Sequence, residues 1–115
     1  MTKSEQQKTL TEIRDMCRDP EFEVISNHLY SKKDELERIY EWLEKTGNAD
    51  YDYLKHLGNK NGYELAHNPE KLTFKECCTA LTFLLRAEHW SEGAFFDALS
   101  DGDVYKLLSR MVETI

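Results

Sequence analysis

The sequence lacks a long apolar run, an excess of basic residues and a signal-peptide pattern. No stretch approaches the roughly 18–20 apolar residues that a membrane-spanning helix needs, so no membrane segment is expected. The N-terminal region is polar, without the apolar centre of a secretion signal, and a cytoplasmic protein is therefore predicted. The net charge is −7, which repels a phosphate backbone. Direct binding to nucleic acid is not expected.

Cysteine is scarce, with three residues in the chain, and two of them, Cys77 and Cys78, are adjacent. Neighbouring helical residues point about 100° apart, which gives poor geometry for a bridge between them. We expect reduced, partly buried thiols that pack as small hydrophobic groups. The cysteines and the four histidines do not follow a zinc-binding spacing, so no metal site and no cofactor are predicted.

Established catalytic motifs are also missing. The sequence has no Gly-x-Ser-x-Gly nucleophile turn, no Walker loop, no dinucleotide-binding glycine motif and no His-Glu-x-x-His. The preferred prediction is a protein without enzymatic activity. Because an active site depends on proximity in three dimensions, an enzyme or small-ligand binder stays an alternative hypothesis.

What the chain does contain is a series of helix signals with almost no strand signals. With 115 residues, 40% of them apolar and 32% charged, it predicts one globular domain over residues 1–115. Thr73 and Glu76 form the clearest capping box and open the longest predicted helix, Phe74 to about His89. The predicted fold is an all-α, compact single-domain bundle of about five to six helices around that central helix.

The other predicted helices follow the same start, stop and spacing rules. Ser4 with Gln7 predicts a capping box for the first helix. The remaining predictions are a short helix from Glu21 to about Leu29, a helix opened by Ser31 and ended by Gly47, a short helix from Asp50 to Leu57 with Tyr51, Leu54 and Leu57 inward, a loop from Gly58 to Gly62, and two final helices capped by Ser91 and Asp103.

The most distinctive cluster of residues lies where the central helix ends and the next one begins, and it combines charge with an aromatic ring: Arg86, Glu88, His89, Trp90 and Glu92. In the structural interpretation, Arg86 pairs with Glu88 or Glu92 and Trp90 fills the helix junction. In a second interpretation Arg86 binds an anion and Glu92 or His89 acts as acid or base. In a third, Trp90 anchors a protein contact, since tryptophan and arginine are enriched in interface hot spots.

Acidic residues are concentrated in two segments. Residues 34–52 contain seven acids against Arg38 and Lys45, and residues 88–103 contain five acids with no lysine or arginine. If the two segments share a face, their field would steer a basic partner towards it; otherwise they are ordinary solvated helix surface. The predicted binding residues are Arg86, Glu88, His89, Trp90, Glu92, Asp97, Asp101, Asp103 and, on the preceding acidic helix, Trp42.

The C-terminal part, from about Leu72 to Met111, contains a set of short motifs. They are Arg86, Glu88, Trp90, Glu92-Gly93, Asp101-Gly102 and Leu107-Leu108-Ser109-Arg110. This set resembles an uncharacterised family of small bacterial and mobile-element domains of unknown function. The chain departs from that pattern at His89, where arginine would be usual, and at Trp90, where phenylalanine would be usual. The resemblance implies a small helical domain and no activity.

Together these features predict a small acidic module that binds another protein with a basic surface. A phage or mobile-element inhibitor or regulator of a nucleic-acid-handling protein would have this size and charge. Besides the enzyme hypothesis, a structural homo-oligomer that uses Trp42 or Trp90 at a twofold contact is a second alternative.

Overall fold

The computed structural model describes residues 1–115 as a mostly helical single domain with one small antiparallel sheet. The elements are α1 (Lys3–Met16), β1 (Phe22–Ile25), β2 (His28–Ser31), α2 (Glu35–Thr46), α3 (Tyr53–Leu57), α4 (Gly62–His67), a 3₁₀ turn (Pro69–Lys71), α5 (Phe74–Trp90), α6 (Ala94–Ser100) and α7 (Asp103–Thr114). The prediction of an all-α bundle of five to six helices is corrected by seven α-helices and the sheet.

Helix α5 lies at the centre of the fold because apolar side chains cover most of its circumference. Nine of its 17 residues are buried, and it packs against α3, α4, α6 and α7. Its start is fixed by the predicted capping box. Thr73 Oγ1 accepts the backbone N–H of Glu76 at 3.1 Å, and Glu76 Oε1 accepts the backbone N–H of Thr73 at 3.0 Å. The predicted central helix is confirmed, with its end at Trp90.

The segment predicted as a helix from Glu21 to Leu29 is instead a β-hairpin. β1 and β2 pair antiparallel, with Val24 opposite Leu29, around a two-residue turn at Ser26 and Asn27. Both turn residues have positive φ, 52° and 68°, as a type I′ hairpin turn requires. The hairpin then packs on α6, where the ring centroids of Tyr30 and Phe96 lie 5.6 Å apart.

The structure also corrects other predicted helix boundaries and predicted buried residues. Thr2, rather than Ser4, caps α1, since its side chain accepts the backbone N–H of Glu5. α2 begins at Glu35 rather than at Ser31, and Gly47 ends it in the left-handed conformation as predicted. The residues before α6 and α7 are Gly93 and Gly102, so Ser91 and Asp103 are not the caps. The short helix predicted from Asp50 to Leu57 is α3, which begins at Tyr53. Its Leu57 is buried as predicted, whereas Tyr51 and Leu54 are exposed.

All three cysteines are unpaired and buried, as the sequence predicts. None of the seven helices combines the length and the apolar character that crossing a bilayer would require.

Candidate functional site

An open groove of about 330 Å³ lies between α6, the start of α7 and Tyr63 of α4. Glu92 precedes α6, Asp97 lies on it, Asp101 follows its last residue, and Asp103 begins α7. All four carboxylate residues line the groove, and no lysine or arginine does. We call this feature the acidic groove. It brings together four of the residues that the sequence predicts as binding residues.

Neighbouring side chains neutralise the acidic groove only in part. Asp103 Oδ1 lies 2.9 Å from His67 Nδ1 and 3.9 Å from Lys106 Nζ. Glu92 Oε2 lies 3.7 Å from His28 Nε2, which the hairpin supplies. The other two carboxylates of the groove, on α6 and at its end, form no ion pair. The groove therefore keeps an excess of negative charge that faces solvent.

One aromatic side chain, Tyr63, lines the acidic groove, and a second, Trp90, is adjacent in sequence to a residue of the groove lining. Tyr63 packs edge-to-face on Phe83 of α5, with ring centroids 4.9 Å apart. Gly62 permits this approach, since a Cβ at that position would lie 2.5 Å from Phe83. Trp90, just before the groove residue Ser91, is 64% exposed rather than filling the helix junction. Tryptophan is enriched among the residues that anchor protein contacts.

Glu88 ties α5 to α6, but not through an ion pair with Arg86. Its Oε2 accepts the backbone N–H of Gly93 at 2.7 Å, and its Oε1 accepts the backbone N–H of Phe95 at 2.9 Å. Arg86 pairs with neither Glu88 nor Glu92. The predicted salt bridge is wrong, and hydrogen bonds from a carboxylate to the next helix stabilise the junction in its place.

Arg86, His89 and Trp42 do not line the acidic groove. Arg86 lines a small pocket beside Glu44 of α2, and His89 is exposed on α5. Trp42 is only 3% exposed, and its indole N–H donates to the carbonyl of Gln6 at 3.1 Å. The prediction that Trp42 offers a contact surface is therefore corrected by its burial in the core.

A second cavity, of about 220 Å³, lies between α3, α4 and the first turns of α5, and it contains none of the predicted site residues. It is lined by His56, Leu57, Lys60, Leu65, Thr73, Lys75, Glu76 and Thr79. One sequence signal points to it. Thr79 and Thr82 are the two hydroxyl-bearing residues in the apolar run from Cys77 to Leu85 of α5, and buried hydroxyl groups need hydrogen-bond partners.

The partner of these threonines is Asp50, which also fixes the ring of His56. Asp50 Oδ2 accepts the hydroxyl of Thr79 at 2.6 Å and lies 2.7 Å from His56 Nδ1. Its Oδ1 accepts the backbone N–H of Asp52 at 3.0 Å, and its own N–H donates to Thr82 Oγ1 at 3.1 Å. Burial by itself raises the pKa of Asp50, but the three hydrogen bonds outweigh it and hold the pKa below its ordinary value.

The histidines are distributed among separate carboxylates. His28, His56 and His67 each pair with one acid. No three His, Cys, Asp or Glu side chains lie close enough together to hold a metal ion.

The fold is that of a small, mostly helical domain with an acidic groove at its surface. The sequence matches a family of unknown function, DUF6508, over residues 3–115, and the chain belongs to that family. No curated protein and no solved structure matches it. Membership of an uncharacterised family is thus confirmed over nearly the whole chain, while a bacterial or mobile-element origin stays a prediction.

Proposed function

We propose that this protein is a non-enzymatic binding module whose acidic groove receives a basic segment of a partner protein. One observation carries the proposal: four carboxylates line a single groove without a lysine or arginine, and Asp97 and Asp101 have no ion-pair partner. Such a groove concentrates negative potential and accelerates encounter with positively charged surfaces. A lysine or arginine of the partner would supply the missing counter-charge.

We propose that Trp90 serves the same contact as an apolar anchor. Its side chain is 64% exposed, and it directly precedes Ser91 of the groove lining. A tryptophan beside charged residues combines a large buried area on binding with polar contacts at its rim. We therefore place Trp90 at the centre of the contact and the carboxylates of the acidic groove along one side.

The other acidic segment, residues 34–52, contributes less negative charge to a contact surface. Glu35 is fully buried, Glu41 pairs with Lys45, and Asp50 is held by hydrogen bonds inside the fold. These three acids therefore offer little free charge to a partner. The enzyme hypothesis is also less favoured, since Arg86 and Glu88 do not share a cavity with the groove residue Glu92.

The partner class we propose is a protein with a basic, nucleic-acid-handling surface. Lysines and arginines that bind phosphates would also bind the carboxylates of the acidic groove. The module would then act as an inhibitor or regulator, because it would occupy the surface that nucleic acid needs. Its own net charge of −7 would keep it from binding nucleic acid directly.

The test uses Trp90 fluorescence in a Trp42→Phe background, where Trp90 is the sole tryptophan. A short arginine-rich peptide is the probe, titrated at about 50 mM and about 300 mM salt. We expect saturable change in Trp90 emission and weaker binding at the higher salt concentration. The double variant Asp97→Asn/Asp101→Asn should weaken binding by about tenfold or more, since each lost charge pair contributes about 1 kcal/mol or more.

The matched control is Glu12→Gln/Glu37→Gln, which removes the same charge from exposed acids outside the acidic groove. It should bind the peptide almost as the parent does. Equal weakening by the two double variants would mean that net charge alone attracts the peptide, and the groove proposal would be abandoned. Light scattering checks the homo-oligomer alternative: a stable dimer that Trp90→Ala dissociates would favour it.

A further inference from the structure

The cavity between α3, α4 and α5 differs in charge from most of the molecule. Two lysines, Lys60 and Lys75, line it against a single carboxylate, Glu76. That carboxylate is already engaged. Its Oε1 accepts the backbone N–H of Thr73 at 3.0 Å, and its Oε2 lies 3.8 Å from Lys60 Nζ. The ammonium group of Lys75 is therefore left without a carboxylate partner.

His56 adds a third polar group with a defined orientation. Asp50 is ionised near neutral pH, and an ionised carboxylate can only accept hydrogen bonds. Nδ1 of His56 therefore carries the proton in its 2.7 Å contact with Asp50 Oδ2. The second ring nitrogen, Nε2, has no partner within the protein. It accepts a hydrogen bond when the ring is neutral and donates one when the ring is protonated.

We propose that this cavity binds a small oxyanion, namely inorganic phosphate or the phosphate group of a monoester. The ligands are the ammonium groups of Lys60 and Lys75 and Nε2 of protonated His56. Ammonium groups and imidazolium form charge-assisted hydrogen bonds to phosphate oxygens, which are stronger than neutral ones. None of these residues belongs to the acidic groove, so this site is independent of the proposed function.

The size of the cavity limits the ligand. Its volume of about 220 Å³ is roughly seven times the ~30 Å³ that one water occupies in the liquid. A phosphate group with some of its hydration fits, whereas a whole nucleotide does not. Because the cavity opens to solvent, the remainder of a monoester would extend outwards. A free phosphate and a monoester share the same ligands and are distinguished by experiment.

The test is an NMR titration of the full-length protein that follows the ring signals of His56 and of the exposed His89. The probes are inorganic phosphate, methyl phosphate and, at matched ionic strength, sodium chloride. We expect saturable shifts at His56 with both phosphates and none at His89. Tighter binding of methyl phosphate would identify the monoester as the preferred form, and tighter binding of inorganic phosphate the free anion. Absence of a saturable shift, or equal shifts with chloride, would overturn the proposal.

Two exposed lysines provide a matched pair of variants. Lys75→Gln removes the unpaired cation of the cavity, and Lys71→Gln removes a nearby cation outside it. We expect Lys75→Gln to weaken phosphate binding by about tenfold, as loss of one charge-assisted hydrogen bond predicts. Lys71→Gln should leave the affinity unchanged. Equal effects of the two substitutions would show that general surface charge, not this cavity, attracts the anion.

Sulfate tests the role of His56 with an anion whose own charge does not change near neutral pH. Asp50 contacts the ring, and Glu76, Lys60 and Lys75 line the same cavity. We expect His56→Gln to weaken sulfate binding by about tenfold, since the anion loses one charge-assisted hydrogen bond. Sulfate binding that His56→Gln leaves unchanged would refute the role of His56.

Discussion

Glu88 Oε1 accepts a hydrogen bond from the backbone N–H of Phe95 at 2.9 Å, across the turn that joins α5 to α6. The other oxygen of the same carboxylate accepts the backbone N–H of Gly93 at 2.7 Å. Gly93 and Phe95 are both buried, so these N–H groups have little access to water. A single side chain thus stabilises the start of α6, the helix that carries Asp97 into the acidic groove.

We expect Glu88→Ala to lower the free energy of unfolding by about 1–3 kcal/mol, since two buried N–H groups lose their acceptor. Glu88→Gln keeps one acceptor oxygen and should have about half that effect. Urea denaturation followed by circular dichroism measures both. The matched control is Glu92→Gln, because the side chain of Glu92 is half-exposed and its one ion pair is with His28; it should change stability by less than about 0.5 kcal/mol. Similar losses in Glu92→Gln and Glu88→Ala would contradict this role of Glu88.

The central helix could be predicted because its signals are local. Thr73 and Glu76 satisfy each other's backbone N–H groups within one turn, and such a capping box needs no other part of the chain. The glycine that ends α2 is equally local, since Gly47 adopts the left-handed conformation that glycine tolerates best. Spacing and caps therefore sufficed for most of the helical framework.

The hairpin could not be predicted from spacing alone. Phe22, Ile25 and Leu29 also fit a helical repeat, and short apolar segments do not distinguish a helix from a strand. What selects the hairpin is partly the turn, where Asn27 tolerates a positive φ of 68°, and partly a tertiary contact. The ring of Tyr30 packs on Phe96 of α6, a contact that no local pattern contains.

Each of the two cavities combines residues that stand out in the sequence with contacts that only the fold creates. The acid-rich segment from Glu88 to Asp103 was visible in the sequence, but Tyr63 reaches the acidic groove from a separate helix. The Asp50–Thr79 hydrogen bond joins residues 29 positions apart, and no local pattern contains such a contact. The threonines in the apolar part of α5 are the signal that the sequence offers for the second cavity.

Burial controls the chemistry of the cysteines. It raises the pKa of Cys17, Cys77 and Cys78 to about 12, and nearby Glu35 adds to the effect at Cys17. Since the thiolate is the reactive form, all three should be inert to Ellman's reagent at about pH 8 in the folded protein. Three equivalents should react once denaturant is added. An introduced, exposed cysteine, Ser100→Cys, serves as the positive control, and rapid modification of any native thiol would contradict the prediction.

Asp50 should make stability depend on pH at the acidic end. Because its folded-state pKa lies below the ordinary value, its contribution is fully present above about pH 4 and is lost as the pH falls through the folded-state pKa. We expect Asp50→Asn to lower the free energy of unfolding by about 1–3 kcal/mol at neutral pH, with the difference from the parent shrinking below about pH 4. Urea denaturation at a series of pH values measures this.

The matched control for Asp50 is Asp52→Asn, which keeps the backbone N–H that donates to Asp50. The side chain of Asp52 is exposed, so its substitution should change stability by less than about 0.5 kcal/mol at neutral pH. A difference between Asp50→Asn and the parent that is constant from neutral pH to about pH 2 would mean that the ionised carboxylate contributes nothing.

Glu35 is the first residue of α2, and its carboxylate is fully buried with no hydrogen-bond partner for either oxygen. An unsatisfied buried polar group costs about 1–3 kcal/mol, whereas an acid in the first turn of a helix gains about 0.3–1 kcal/mol from the dipole. Desolvation therefore dominates, and Glu35→Met, which nearly preserves volume, should raise the free energy of unfolding by about 1–2 kcal/mol.

Glu37→Met is the control, because Glu37 is exposed in the same turn and its replacement removes only the favourable interaction with the helix dipole. Thermal and urea denaturation measure the stability of both variants. If Glu35→Met destabilises the protein more than Glu37→Met does, the buried carboxylate has a favourable interaction, and its desolvation is not the dominant effect.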